Sequence, residues 1–246
     1  MNSPVLPLSQ GDVIVTEPLF EILAYEDTPL GPLCLRRREL LSEPGTVVTE
    51  VTLNHQFLMS SLHTDSERAL AEVALDMHAG EDLTVLIGGL GLGYTARAAL
   101  ACDRVAVVEV VELLPQVIGW IERGMVPLAT ELNADRRLCV RRGDVYARLT
   151  GAPAARFDVV LVDVDHSPED TLAGASAAYY TRPGLERARE HLAPGGVLGV
   201  WSYAQHSPFA ETLREVFDQV EVRPVTYFNR HVREEHTDWL FFAVRY

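Results

Sequence analysis

Four glycines in six positions close one apolar run of the chain, Val85-Leu86-Ile87-Gly88-Gly89-Leu90-Gly91-Leu92-Gly93. A strand that breaks into such a turn and continues as a helix offers free backbone N–H groups to a ligand. Any Cβ there would stand in the ligand's place. Glu109 follows Gly91 by 18 residues and ends a second apolar run, Val105-Ala106-Val107-Val108-Glu109. An acid at that point can accept both hydroxyls of a ribose. Asp144, in Arg142-Gly143-Asp144, follows a third run and can accept from an adenine amine. Asp163 ends a fourth. With Asp165, Glu169 and Asp170 it makes four carboxylates within eight residues, and His166 lies among them. That mixture suits a cation or acid–base chemistry, since a carboxylate can orient an amine and take its proton before attack.

Each feature also has a plainer reading. A glycine turn can be a tight strand–helix connection, Asp after Gly a simple turn, and an acidic loop a solvated one with an N-capping acid. No helix-spaced His pair accompanies the acid–His mixture, so no metal is expected. Aromatic and polar groups at Asn54-His55-Gln56, His63, Tyr179-Tyr180 and Trp201-Ser202-Tyr203 could box a cation, but such residues more often pack a core or rim. Two cofactors fit the turn. Gly91-Leu92-Gly93-Tyr94-Thr95-Ala96 matches the dinucleotide pattern G-x-G-x-x-A. An S-adenosylmethionine-type cofactor is weighted more heavily for three reasons. The glycines at 89, 91 and 93 alternate, Asp144 follows the third strand, and the chain ends in an antiparallel pair rather than a second catalytic domain.

The elements that must position these residues form an α/β pattern. Short apolar runs at 83–88, 104–109, 137–140, 157–163 and 197–202 alternate with helical segments starting near Tyr94, Leu113, Pro183 and Pro208. Such alternation predicts a Rossmann-like, mostly parallel sheet covered on both faces. Strand-like runs at 220–228 and 239–245, joined by a polar loop, predict an antiparallel closing strand. Upstream, strand candidates at 19–25, 33–37 and 47–53 flank turn formers and predict a small antiparallel β layer. A helix over 65–77 puts Leu70, Val73, Ala74 and Met77 on one face. The expected domains are a β-rich region over 1–64 and a cofactor-binding domain over 65–246.

Composition narrows the partners. The chain has 246 residues, 21 Lys+Arg against 35 Asp+Glu, and a net charge of −14. Such a surface repels nucleic-acid phosphates and attracts cations, amines among them. Three cysteines without metal-ligand spacing suit a reducing compartment, and no run is long enough to span a membrane. The protein is expected in the cytoplasm.

Gln56, the helix at 67–77, the turn at 88–93, Glu109, Gly143-Asp144, Phe157–Asp163 and Leu192-Ala193-Pro194-Gly195-Gly196-Val197 occur in the order found in spermidine synthase-like proteins. These are polyamine aminopropyltransferases on the class I methyltransferase fold, and the chain resembles them over most of its length. The resemblance implies that Gly88, Gly89, Gly91 and Gly93 line the cofactor tail, with Gln56 also at the cofactor. It implies that Glu109 holds the ribose, Asp144 the adenine, and that Asp163 faces the reacting amine. Asp165 and His166, in the same acidic loop, are further candidates for acid–base chemistry, and a small, cationic amine substrate and a homodimer are expected. Three departures stand out. Gly91 replaces the acid of the family's Gly-Gly-Gly-Asp-Gly-Gly turn. Leu70-Ala71-Glu72 replaces Tyr-His-Glu or Tyr-Gln-Glu. Asp163-Val164-Asp165-His166-Ser167-Pro168 shortens the spacing of the Asp-x-x-Asp-Pro loop. With the adenosine residues kept and the polyamine residues eroded, methyl transfer from S-adenosylmethionine is expected slightly ahead of aminopropyl transfer from its decarboxylated form. A non-catalytic binding or dimerisation module on the same fold is the alternative of another class.

Overall fold

The computed structural model describes residues 19–164, 167–168, 174–205, 207–229 and 233–246. Four strands come first: β1 (Phe20–Thr28), β2 (Gly31–Leu40), β3 (Glu43–Leu53) and β4 (Gln56–Ser60). They pair in chain order as an antiparallel sheet. The turns between them are short, and Gly31, with φ of 109°, supplies the left-handed backbone after Pro29-Leu30. The strand β4, immediately after the Asn54-His55 turn, has no counterpart among the sequence-predicted strands. Its five residues are too few to show a period.

Helix α1 (Asp65–Met77) spans the predicted range and buries Leu70, Ala71, Ala74 and Leu75. Then follow β5 (Leu83–Gly88), α2 (Tyr94–Leu100), β6 (Val105–Glu112), α3 (Pro115–Glu122), α4 (Ala129–Ala134), β7 (Leu138–Arg142), α5 (Val145–Thr150) and β8 (Phe157–Val162). A 3-10 turn at Gly174–Ala178 leads to α6 (Arg182–Glu190), β9 (Leu192–Ser202), α7 (Ser207–Val216), β10 (Gln219–Asn229) and β11 (Glu234–Val244). The seven strands β5 to β11 form one sheet in the order β10-β11-β9-β8-β5-β6-β7. The pairs among β5 to β9 are parallel, and β11 runs antiparallel to both β9 and β10. This is a class I methyltransferase-type sheet. Its order reverses between β5 and β8, and crevices for ligands form outside the carboxyl ends of strands at such a point.

The central strands are apolar because both faces are covered. Val85, Leu86, Ile87, Val159, Val160 and Leu161 are all 1% exposed or less. One face packs on α1 to α4 and on the N-terminal sheet through Leu33, Leu35 and Val51. The other packs on α5, α6 and α7. Among the described residues no helix is long and apolar enough to cross a membrane.

Candidate active site

A cleft of about 710 Å³ opens at the carboxyl ends of β5, β6 and β8, with the N-terminal sheet as one wall. Its floor is the turn between β5 and α2. Gly89 and Gly91 have φ of 91° and 51°, a region that costs any residue with a Cβ about 1–3 kcal/mol. A Cβ on Gly89 would overlap the carbonyl oxygen of Asp163, which fixes how closely β5 and β8 approach. A Cβ on Gly91 would stand 3.2 Å from Met59 Sδ, so a thioether from β4 occupies the space over this glycine. Gly89, Gly91 and Gly93 line the cleft and Gly88 does not. Gly88 is the last residue of β5, and a Cβ there would strike Val145 of α5. Close helix–strand packing, rather than a ligand, requires this glycine.

The sequence placed the second-strand acid at Glu109, and the structure corrects this. β6 continues three residues further, so Glu109 lies mid-sheet opposite Leu86 and Cys139. It faces away from the cleft toward Arg148, whose Nη1 donates to it at 2.6 Å, and Arg141, whose Nε lies 2.9 Å away. The Arg148 hydrogen bond holds the carboxyl below the usual range against the opposing effect of burial. The acid that ends the strand is Glu112, which lines the cleft and is 8% exposed. Its two oxygens accept from Leu90 N at 2.8 Å and Leu114 N at 2.7 Å, joining the glycine turn to the start of α3. Burial raises its pKa, and these backbone N–H groups pull the other way. Glu112 thus stands at the strand end where the sequence reading put Glu109.

Asp144 lines the cleft. One of its oxygens caps α5, accepting from Tyr146 N at 2.8 Å and Ala147 N at 3.2 Å. Gln56 does not reach the site. It opens β4 on the exposed side of the Asn54-His55 turn and is not among the cleft-lining residues. Asp165, His166, Glu169 and Asp170 lie outside the described residues.

Asp163 follows β8 directly and lines the cleft beside the glycine turn. It accepts from Thr95 Oγ1, in the first turn of α2, at 2.6 Å. Burial raises its pKa to about 6, and the charge of Asp238 adds to this. Two acids that the sequence did not single out stand with it. Glu67, in the first turn of α1, is pushed up to about 8 by burial and then by the charge of Asp163. Asp238, on β11, is raised by burial and accepts from Ser66 Oγ at 2.7 Å. Neither had a legible signal: Glu67 is one of several charges on an amphipathic helix, and Asp238 ends a polar stretch that reads as loop.

Aromatic rings surround these acids. Tyr227 stacks on His63 with centroids 4.5 Å apart and lies 6.0 Å from His236. Burial, followed by the charge of Asp238, pushes its phenol up to about 12. Trp201 and Tyr203 also line the cleft. Tyr179 is buried in the core instead, packed on Tyr146 and Tyr180. Leu70 and Ala71 are fully buried in the core, and Glu72 is exposed. On the N-terminal sheet, Arg36 and Arg38 clamp Glu50 at the cleft wall. Burial would raise the Glu50 pKa, but the two guanidiniums more than reverse it. The cleft thus has one end suited to a nucleoside, with Glu112, Asp144 and the glycine turn, and one acidic, aromatic end suited to an ammonium.

No family model matches the chain. Over 123 residues, 49% of its length, it is 33% identical to polyamine aminopropyltransferase 2 of Streptomyces coelicolor, covering 22% of that protein. Over 148 residues, 60% of its length, it is 28% identical to the polyamine aminopropyltransferase of Prochlorococcus marinus, covering 48% of it. The chain thus matches less than half the length of these curated relatives. Its fold is that of spermidine synthases. A crystal structure of spermidine synthase in complex with the transition-state analogue AdoDATO superposes with a TM-score of 0.71 at 18% identity, over 92% of this chain and 74% of that one. The spermidine synthase of Thermotoga maritima gives 0.68 at 17% identity, over 92% and 72%.

Proposed function

We propose that the cleft binds a sulfonium nucleoside of the S-adenosylmethionine type and that the protein transfers the aminopropyl group of its decarboxylated form to a small cationic amine. The observation that carries this reading is the meeting of Glu67, Asp163 and Asp238 at an aromatic-walled end of the cleft, next to the glycine turn. Three carboxylates in a closed space favour a cation strongly, and one of them must take a proton before an ammonium can attack carbon. The relatives' names support aminopropyl over methyl transfer, which reverses the order expected from the sequence.

The residues present fit such a cofactor. Glu112 would accept from the ribose hydroxyls, and the free oxygen of Asp144 from the adenine amine. The backbone of the glycine turn would border the tail, with the Met59 thioether over Gly91. The sulfonium, when bound, makes the adjacent carbon electrophilic. Asp163 is the group in this chain that meets the attacking amine. Burial raises its pKa to about 6, which makes it a stronger base toward the amine's proton than an ordinary carboxylate. The packing of β5 against β8 through Gly89 fixes its carboxyl relative to the turn.

One observation favours methyl transfer as a second reading. Gly91 itself bears no carboxylate and the Met59 thioether stands over it, so the repulsion that an acid at this position would exert on intact S-adenosylmethionine is missing. Incubation with either cofactor form and with putrescine or spermidine separates the readings. Methylthioadenosine formed from the decarboxylated cofactor is the expected product. S-adenosylhomocysteine formed only from the intact cofactor establishes methyl transfer instead, and a protein that binds neither nucleoside product rules out both.

A further inference from the structure

The N-terminal sheet brings two cations to a cleft otherwise lined by acids. Arg36 and Arg38 alternate along β2, so their side chains leave the same face of the sheet, and Glu50 pairs with Arg36 from β3. Each guanidinium holds one oxygen of Glu50 through two nitrogens. Arg36 Nε and Nη2 reach Oε2 at 2.9 and 2.8 Å, and Arg38 Nε and Nη2 reach Oε1 at 2.8 and 2.6 Å. Each Nη1 keeps its N–H donors with no acceptor among the described residues. The Glu50 side chain is 6% exposed and those of Arg36 and Arg38 are 32% and 33%, so the anion lies beneath and the cations lie over it. Burial alone would raise the Glu50 carboxyl, but the hydrogen bonds from Arg38 and Arg36 more than reverse this and keep it ionised. Two permanent cations on one anion leave one positive charge uncompensated. Among the described residues the cleft is lined by no other Arg or Lys, whereas Glu67, Glu112, Asp144, Asp163 and Asp238 all line it. The arginines' ion pairs are with Glu50 rather than with any of these acids. That charge is therefore still available to a ligand.

We infer that Arg36 and Arg38, held side by side on Glu50, form a carboxylate-binding site in the wall of the cleft. Their anchored nitrogens fix both guanidinium planes, and a fixed guanidinium presents its remaining N–H groups in the fork that suits a carboxylate. One uncompensated positive charge matches one carboxylate. A phosphate dianion would leave negative charge in excess beside a cleft already rich in acids. The carboxylate has two sources among the ligands considered above: the methionine tail of an intact cofactor, or an acceptor that is an amino acid rather than a plain amine. This rests on the reading that the cleft binds a sulfonium nucleoside and an amine.

Two pairs of ligands that differ by one carboxylate test the inference without needing turnover: S-adenosylmethionine against its decarboxylated form, and ornithine against putrescine. Calorimetric titration of the full chain gives an affinity ratio for each pair. In one pair, Arg36→Gln and Arg38→Gln should each lower the ratio by about ten- to a hundredfold against the carboxylate-bearing member, the range of one charge-assisted hydrogen bond. Glu50→Gln, which keeps both guanidiniums and removes their shared anion, should raise the same ratio. A shift in the cofactor pair assigns the carboxylate to the methionine tail, and a shift in the amine pair assigns it to the acceptor. A ratio of two ligands is insensitive to a general loosening of the fold, so arginines that serve only to hold β2 against β3 would leave both ratios unchanged. Unchanged ratios in both arginine variants overturn the inference, as does a Glu50→Gln variant in which the shifted ratio falls. A parallel titration with methylthioadenosine, which has neither amine nor carboxylate, reports on the nucleoside end alone. If it binds while the ratios stay fixed, the carboxylate site falls and the cofactor reading stands. If neither it nor any member of the two pairs binds, both fall.

Discussion

Glu109 and Glu112 stand three residues apart on β6 and meet different surroundings. The first is held by Arg148 and Arg141 away from the cleft, and the second faces into it. Glu109→Gln should leave nucleoside affinity unchanged and cost about 1 kcal/mol of stability, because its arginine partners are partly exposed. Glu112→Gln should weaken methylthioadenosine binding by about ten- to a hundredfold through the lost ribose hydrogen bonds. It should also lower stability by about 1–3 kcal/mol, since a Gln amide must turn an N–H group toward Leu90 N or Leu114 N. Titration and denaturant melts of both variants check this, and equal affinity loss in the two would show that the cleft assignment is wrong. The sequence contains both acids, and the choice between them depends on register. Gly88, the last residue of β5, pairs with Val111, and Glu112, the next residue, is the acid of β6 that lines the cleft. Spacing along the chain does not reveal which residues of neighbouring strands lie level. Asp163 directly follows β8 and Asp144 follows β7 after Gly143, so a register shift of one residue changes little for either.

At the scale of elements, the glycine turn acts as a joint between strands. Gly89 lets the β5 backbone pass against the carbonyl of Asp163, which places the turn and that acid together. Gly89→Ala should therefore destabilise the fold by about 3 kcal/mol or more, from the left-handed backbone and the clash together. It should also impair binding at both ends of the cleft. Chemical denaturation and paired nucleoside and amine titrations check this, and a variant of parental stability would show that the strand contact relaxes freely. The parallel sheet and α1 were readable from apolar runs and from the 65–77 helical period. α4 and α5 were not, since six residues hold less than two turns of pattern. The acidic end was hidden for a related reason. The stretch before Trp239 reads as a polar loop, yet β11 begins at Glu234 and its pairing with β10 carries Asp238 into the sheet. Long-range antiparallel pairing, rather than any local motif, brings that acid to Ser66.

For the molecule as a whole, the charge of −14 includes acids that are not simply solvated. Glu67 is raised from 4.5 to about 8 and Asp163 from 3.8 to about 6. The native protein thus keeps protons that the unfolded chain has already released. Between about pH 4.5 and 8 the unfolded state binds fewer protons, and stability falls as pH rises, by up to about 1.4 kcal/mol per unit per group. Glu50 and Glu109 act oppositely. Their lowered pKa values add stability that is lost only as pH falls below the usual carboxylate range. Thermal melts from pH 5 to 8 should show a clearly shallower slope for Glu67→Gln than for the parent. Parallel slopes would mean that Glu67 is ionised in the folded protein.

The hydrogen bond from Ser66 to Asp238 joins residues 172 positions apart. One side of it belongs to α1, packed on the sheet's middle, and the other to the terminal β10–β11 hairpin. Proteins open locally in units of unequal stability, and hairpins at a sheet's end open more cheaply than central strands. Were the cleft to hold both proposed ligands, an opening of β10 and β11 would break the Ser66–Asp238 bond while β5, β6 and β8 stayed paired, so the amine would leave before the nucleoside.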